Sequence, residues 1–225
     1  MGYYIDLEKI CLNKYKEMLR SVDLLPGRMI IKENLDLNFE VLKREGIKNV
    51  DEILKALKNK KSINDFALNS GLEEGYLTVL VREIKSYQPK PNKLKDFPGI
   101  SENDLMKLEE IQIKNTVQLF DRATTKHKRN DLCQQTGIDK NDLLKITKLT
   151  DLARIRWVNH TFAFVLFEAG YDTVEKVANG DSEKLYQDIK QLNEERNLYN
   201  AHIGLHDIKL CVEAANDVSL EIDYE

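Results

Sequence analysis

The chain has 225 residues, of which 42% are hydrophobic and 32% are charged, and its formal net charge is −4 at pH 7. It contains only 10 glycines and 4 prolines, below the usual shares of about 7% and 5%. Such a composition favours long helices over a β-sandwich, which needs many tight turns. Collagen-like, low-complexity and disordered classes are excluded, and the acidic balance argues against a general nucleic-acid coat protein.

The cysteines and the apolar runs indicate a soluble protein of a reducing compartment. Cys11, Cys133 and Cys211 are far apart and form no CxxC pair. Because no signal peptide is recognisable, we expect reduced, mostly buried thiols and a cytoplasmic location. The longest apolar run, from Phe162 to Phe167, is far shorter than the roughly 18 residues of a membrane span, so we expect no membrane partner.

The first 23 residues predict an amphipathic helix that packs on the core. Its apolar face contains Leu7, Ile10, Cys11, Tyr15, Met18 and Leu19. We therefore expect an all-α protein that begins with this helix.

Internal repetition organises the rest of the chain. LKREGIKNVDEIL from Leu42 recurs as LEEIQIKNTVQLF from Leu108 and as LFEAGYDTVEKVA from Leu166. Each copy predicts a helix, a turn at a glycine or its substitute, and a second helix with a polar N-cap. The turn residues are Gly46, Gln112 and Gly170, and the caps are Asn49, Asn115 and Thr173.

A second pattern recurs at the same separation of 66 residues. It begins at Phe66 and Leu132 and carries Gly71 and Gly137 at corresponding positions, with a looser third copy from Ile203. We therefore expect tandem helix-hairpin-helix-like units packed into a compact helical array.

Proline and charge divide the chain into three predicted parts. Pro89 ends the preceding helix near Gln88 because residues before proline avoid the α region. The parts are 1–87, 88–150 and 151–225, with net charges of +1, +3 and −8. The last part includes an acidic tail that we expect to be frayed, with Glu221, Asp223 and Glu225.

The segment FPGISENDLMKLEEIQIKNTVQLF resembles the helix-hairpin-helix pattern. The segment TGIDKNDLLKITKLTDLARIRWVNHTFAFVLFEAGYDTVEKVA closely resembles a bacterial domain-of-unknown-function family built from such hairpins in tandem. The similarity covers roughly residues 24 to 180. It implies an all-α tandem fold related in shape to nucleic-acid-binding modules, and it brings no established activity.

Helix-hairpin-helix modules bind nucleic-acid backbone non-specifically, through hairpin amides and a helix N-terminus that point at a phosphate. At the second hairpin, Glu102 and Asp104 would repel a phosphate and suit a cap on the next helix. We therefore interpret this hairpin as structural, with Pro98, Gly99, Ile100 and Ser101.

The third hairpin is the best phosphate site in the sequence. Trp157 and Asn159 replace both glycines, and we expect Asn159 to adopt the left-handed angles that keep the turn. The predicted nucleic-acid-binding residues here are Arg154, Arg156, Asn159, His160 and Thr161. The alternative, which is the more common outcome for such motif matches, is that Trp157 packs between units while the arginines pair with acids such as Asp151.

A short basic run between two predicted helices is a second candidate for phosphate contact. Its residues are Lys126, Lys128 and Arg129, with His127 between them. The alternative is a solvated loop, which short basic runs more often form.

Metal and catalytic signatures are weak or missing. His202 and His206 are four residues apart, but Gly204 lies between them, so we expect no metal site. The sequence has no GxxxxGK[ST], GxSxG or GxGxxG motif, so we expect no cofactor and no enzymatic activity.

The leading hypothesis is a non-enzymatic protein that contacts DNA or RNA backbone. The alternative is a protein–protein interaction scaffold in which the hairpins are purely structural.

Overall fold

The computed structural model describes residues 2–224, and in this part of the chain the main chain forms thirteen α-helices and three short 3-10 helices. The α-helices are α1 (Leu12–Ser21), α2 (Leu35–Arg44), α3 (Val50–Ala56), α4 (Lys60–Ser70), α5 (Glu74–Ser86), α6 (Glu102–Glu110), α7 (Thr116–Ala123), α8 (Lys126–Thr136), α9 (Lys140–Leu152), α10 (His160–Glu168), α11 (Val174–Ala178), α12 (Ser182–Arg196) and α13 (Leu205–Asn216). The 3-10 helices are Leu7–Lys9, Pro26–Lys32 and Leu94–Asp96. These residues form no β-strand, so the all-α prediction is confirmed.

The helices form two compact units. The small unit is Asp6–Gln88, and the large unit consists of Met1–Ile5 with Pro89–Glu225. The division between them follows Gln88 directly, whereas the predicted division between residues 150 and 151 falls within the last turn of α9.

Polar N-caps and left-handed turn residues define the hairpins. The side chains of Asn49, Asn115 and Thr173 accept the main-chain N–H three residues further on, at 2.9, 3.0 and 3.2 Å. Such caps satisfy donors that the first turn of a helix leaves unpaired. The residue three positions before each cap, Gly46, Gln112 or Gly170, has a positive φ. Gln112 therefore keeps the turn although it lacks the conformational freedom of glycine.

The helix pair formed by α4 and α5 recurs 66 residues later as α8 and α9. Shifting the bounds of α4 and α5 by this number reproduces the bounds of α8 and α9. Gly71 and Gly137 end α4 and α8 with φ values of 79° and 65°. This correspondence supports the tandem-repeat interpretation, which stays a prediction.

The N-terminal helix differs from its prediction in where it starts. α1 begins at Leu12, and a 3-10 helix, Leu7–Lys9, precedes it. Cys11 precedes α1 in extended conformation and is exposed, while its neighbour Leu12 is buried. The expectation of mostly buried thiols was therefore wrong for Cys11. Cys133 is half-buried and Cys211 is buried, which raises the pKa of the Cys211 thiol to about 12.

α10 lies at the centre of the larger core of the large unit. Its residues Phe162, Ala163, Phe164, Val165 and Leu166 are all buried. Because successive helix positions point in different directions, five consecutive buried residues show that α10 is covered on several sides. Within residues 2–224, no helix combines the length and the apolar character that crossing a bilayer requires.

Gly99 is the point of closest approach between the second hairpin and α10. Its φ is 75°, and a Cβ at this position would come within 2.8 Å of Phe164 Cε2. Gly137 also has a left-handed φ, of 65°, but a Cβ there would meet no atom within 4 Å.

We predict that Gly99→Ala lowers the free energy of unfolding by about 2–4 kcal/mol, because overpacking against Phe164 adds to left-handed strain. Gly137→Ala is the matched control and should lose only about 1–2 kcal/mol, since it carries the strain alone. Urea unfolding of both variants measures the difference. Equal losses would show that the Phe164 ring moves aside at no cost.

Candidate functional site

The second hairpin carries a cap on the helix that follows it. Ser101 caps α6: its Oγ accepts the Asp104 N–H at 3.1 Å and donates to Asp104 Oδ2 at 2.6 Å. Asp104 is buried, with 7% of its surface exposed. A carboxylate therefore stands in the first turn of α6, where it stabilises the helix dipole and would repel a phosphate.

The third hairpin keeps its turn through a residue other than the one predicted. Trp157 has the left-handed φ, of 69°, and Asn159 is extended, with φ −89° and ψ 176°. Asn159 Oδ1 accepts the Phe162 N–H at 2.8 Å. An N-cap requires extended backbone, so capping α10 excludes the left-handed angles that we expected of Asn159.

Arg154 is buried and bound entirely within the large unit. Its Nη1 donates to Asp151 Oδ1 at 2.7 Å, and the two side chains are only 1% and 5% exposed. Its Nε donates to the carbonyl of Tyr3 at 3.2 Å, and its Cζ lies 4.6 Å from the centroid of the Phe120 ring. These contacts make Arg154 a structural residue, as in the alternative that pairs it with Asp151.

The other residues of this hairpin range from buried to exposed. Arg156 is buried, and its Cζ lies 3.9 Å from the ring centroid of Trp157, which is 36% exposed. His160 and Thr161 are half-buried in the first turn of α10, and the His160 ring meets Phe97 edge-on at 6.0 Å. The buried Arg156 guanidinium therefore stacks on the ring of Trp157, which is the member of the pair that reaches the surface.

The basic run lies in the first turn of α8, not in a loop between helices. Lys126 is exposed, whereas Lys128 Nζ donates to the Asp121 carbonyl at 3.0 Å. Arg129 is buried and donates to the Ala123 carbonyl at 3.0 Å. Two of the three predicted phosphate contacts thus bind the end of α7 instead.

The acidic tail is bound along the large unit, so the expectation of a frayed tail was wrong through Tyr224; Glu225 lies outside the described residues. Arg154 Nη2 donates to the Ser219 carbonyl at 2.8 Å. Arg129 Nη2 donates to the Asp223 carbonyl at 2.6 Å, and the Asp223 N–H donates to the Thr124 carbonyl at 2.9 Å.

Tyr224 closes this contact. Its hydroxyl donates to Asp151 Oδ2 at 2.8 Å, and the charged groups of Arg129 and Lys148 lie 5.9 and 5.8 Å from its ring centroid. Burial raises the pKa of the Tyr224 hydroxyl far above its ordinary value, and the Asp151 carboxylate raises this pKa further.

We call the surface of α7, α8 and α9 that contacts Asp223 and Tyr224 the tail groove. Its contacts are of three kinds: a carbonyl that accepts a main-chain N–H, cations beside an aromatic ring, and a carboxylate that accepts the hydroxyl. Main-chain bonds supply affinity and side-chain pockets supply specificity in the binding of extended peptides. The tail groove therefore holds the tail as a peptide-binding site holds its ligand.

Sequence reasoning missed Tyr3, Thr124, Ser219 and Tyr224 as members of this site. An aromatic residue near the end of an acidic tail was the available signal, because such a side chain gains most from burial. Its hydrogen-bond partner Asp151 lies 73 residues away in the sequence, and no local pattern identifies it.

The two histidines do not share a helix face. His202 precedes α13, whose N-cap is Gly204, and His206 lies in its first turn. Across residues 2–224, no group of three or more histidine, cysteine, aspartate or glutamate side chains is arranged to hold a metal ion.

The fold and this site define an all-α protein of capped helix hairpins that holds its own acidic tail. The chain belongs to the DUF4332 family, described as a domain of unknown function, which matches residues 98–218. The predicted resemblance to a domain-of-unknown-function family is thus confirmed, although the match begins at Pro98 and not near residue 24. Comparison with curated proteins and with solved structures gives no match. The bound tail residues Ser219–Tyr224 lie beyond the matched segment.

We predict that Arg154→Leu lowers the free energy of unfolding by about 3–5 kcal/mol, because it leaves Asp151 buried without its cation. Lys126→Gln, at an exposed position of the predicted phosphate site, should stay within about 0.5 kcal/mol of the parent. Denaturant unfolding at neutral pH compares the two. A small loss for Arg154→Leu would mean that Arg154 is not held as described.

We predict that the contribution of Tyr224 to stability disappears at high pH. Its folded pKa is raised, so the contribution is present below about pH 10 and is lost as the pH rises above that value. The charged groups that face the hydroxyl and ring are Asp151, Arg154, Arg129 and Lys148.

Comparison with Tyr224→Phe isolates this group from Tyr3, whose pKa burial raises to about 12. At pH 7 the variant should be less stable by about 0.5–1.5 kcal/mol, the contribution of one hydrogen bond. The difference in unfolding free energy should shrink between pH 9 and 11. A difference that is constant with pH would contradict the contact with Asp151.

Proposed function

We propose that this protein is a non-enzymatic binding protein whose partners are other proteins, with its helix hairpins as the structural framework. One observation carries the proposal: the large unit holds a segment of the acidic tail, Asp223 and Tyr224, in the tail groove. The same helix surfaces that hold a segment of this chain are suited to hold a segment of another.

The positions of the predicted phosphate-binding residues favour proteins over nucleic acid as partners. Arg129, Arg154 and Arg156 are buried. Arg154 is bound to two carbonyls and a carboxylate, and Arg129 to two carbonyls, so both have few donors left for a phosphate. The interpretation that the sequence ranked second, an interaction scaffold, is therefore the one that the geometry supports best.

The tandem helix-hairpin-helix-like interpretation is part of this proposal. The left-handed residue and the polar cap at each hairpin support it, since each pair of helices is then a unit with a fixed crossing. We also propose the cytoplasmic, bacterial setting that the sequence suggested, because three unpaired cysteines suit a reducing compartment.

Contact with DNA or RNA backbone is the second candidate function. Two observations favour it: α8 has no acidic residue in its first turn and Lys126 is exposed there. Cations at a helix N-terminus oppose the helix dipole and would be stabilised by a bound anion. The partly exposed ring of Trp157, beside Arg156, is also of the kind on which bases stack.

Nuclease treatment separates the two functions. We expect the immobilised full chain to retain its partners from a nuclease-treated lysate, and the same chain to show no binding to duplex or single-stranded DNA in a filter-binding titration at low salt.

Binding that weakens steeply from 50 to 200 mM salt would instead identify phosphate contacts. If charge reversal at Lys126, Lys128 and Arg156 then abolished it, nucleic acid would be the partner and the proposal would be wrong. Tail-groove residues are left unchanged in this variant, apart from Lys128 at its edge, so folding is checked by thermal unfolding.

A further inference from the structure

The small unit contains an open groove of about 580 Å³ between the turn that joins α3 to α4 and the outer face of α5. Its floor is apolar and buried, with Leu57, Ile63 and Val81. A volume of this size is typical of ligand sites, which range from about 300 to 1,000 Å³.

Four cations line the rim of this groove: Lys58, Lys60, Arg82 and Lys85. All four are exposed, and none of them forms an ion pair with an acid of the described chain. Glu74 is the only carboxylate on the lining. The groove is therefore strongly positive above an apolar floor, which suits an anionic ligand with some apolar surface.

The groove occupies the place in the small unit that the tail groove occupies in the large unit. Four residues that contact Asp223 or Tyr224 have counterparts 66 positions earlier, and all four counterparts line the open groove. The pairs are Thr124 with Lys58, Arg129 with Ile63, Lys148 with Arg82, and Asp151 with Lys85. The helices that carry them, α4 and α5 against α8 and α9, have the same lengths and the same separation.

We propose that the open groove of the small unit binds an extended acidic peptide of a partner protein. This inference rests on the proposed function and names its site and its ligand. The occupant is a peptide because the equivalent groove already holds one, outside any helix, through the main-chain N–H of Asp223. By the same geometry the carbonyl of Lys58 accepts a main-chain N–H of the bound peptide.

The differences between the two grooves define which side chains the peptide carries. Asp151, which accepts the Tyr224 hydroxyl, is replaced by Lys85, so the side chain that enters here is an anion, glutamate or aspartate, and not a neutral hydroxyl. Arg129, which donates to a tail carbonyl, is replaced by Ile63. One hydrogen bond of the tail groove is therefore replaced by an apolar contact in the open groove. The bound peptide accordingly carries an apolar residue next to its acidic residue.

The apolar floor also distinguishes a peptide from a nucleic-acid strand. A phosphate backbone gains nothing from Leu57, Ile63 and Val81, whereas a peptide that alternates acidic and apolar residues uses both floor and rim. The tail itself, Leu220 to Tyr224, alternates in this way.

The test uses the full chain and a labelled nine-residue peptide with the sequence of residues 217–225 carrying Tyr224→Glu. Fluorescence anisotropy at low salt should show saturable binding. The double variant Arg82→Glu with Lys85→Glu should weaken it by roughly tenfold or more, because two charge-assisted contacts are reversed. Lys14→Glu, a single exposed charge reversal on α1 with half the charge change of the double variant, should leave the dissociation constant within roughly twofold.

Three results would overturn the inference. They are no binding by the parent chain, equal binding by the parent and the Arg82/Lys85 variant, and a scrambled peptide of equal charge that binds as well. Displacement of the peptide by a single-stranded oligonucleotide of equal charge would assign the groove to nucleic acid. Retention of partners from nuclease-treated lysate by the same double variant would leave the proposed function standing while this site fails.

Discussion

The large unit depends on one buried ion pair, between Asp151 and Arg154. Removing both charges from water is costly, and the cost is offset only where every remaining donor and acceptor is bound. Here Arg154 donates also to the carbonyls of Tyr3 and Ser219, and Asp151 accepts from the hydroxyl of Tyr224 and, at 3.3 Å, from the N–H of Val174. The pair thereby connects the N-terminal residues, α9, α11 and the tail through shared contacts.

The residue at the position of Asp151 explains why the two grooves differ. The small unit has its buried charge elsewhere, in the Arg28–Glu83 ion pair, where Glu83 is fully buried. At the place of Asp151 it carries the exposed Lys85. A groove with a carboxylate binds the tyrosine hydroxyl of its own tail and is closed. The groove with Lys85 at that place lacks the carboxylate that binds the tail in the large unit and stays open, which makes it available to a ligand from another chain.

Features that depend on neighbouring residues, such as helix caps, were predictable from the sequence. Contacts between charged residues and partners far away in the chain were not. Asn49, Asn115 and Thr173 were recognisable as caps because capping involves only the next three residues. The burial of Arg154 was not, since its partner Tyr3 is 151 residues away. Asp151, three residues before it, was the one local signal, and it pointed to the structural alternative. Asn159 shows a conflict between two local rules: tolerance of left-handed angles predicted the turn, but capping prevailed and Trp157 took the strained position.

Hydrogen exchange at the Asp223 amide tests the account most directly, because that N–H donates to the Thr124 carbonyl at 2.9 Å in the tail groove. We expect the amide to be protected in the parent chain and to exchange at the rate of an unstructured peptide in Asp151→Asn, which removes the charge that holds Arg154 and Tyr224. The Asn115-capped amide of Gln118, in α7, serves as the internal reference and should be protected in both. An unprotected Asp223 amide in the parent chain would contradict the capture of the tail.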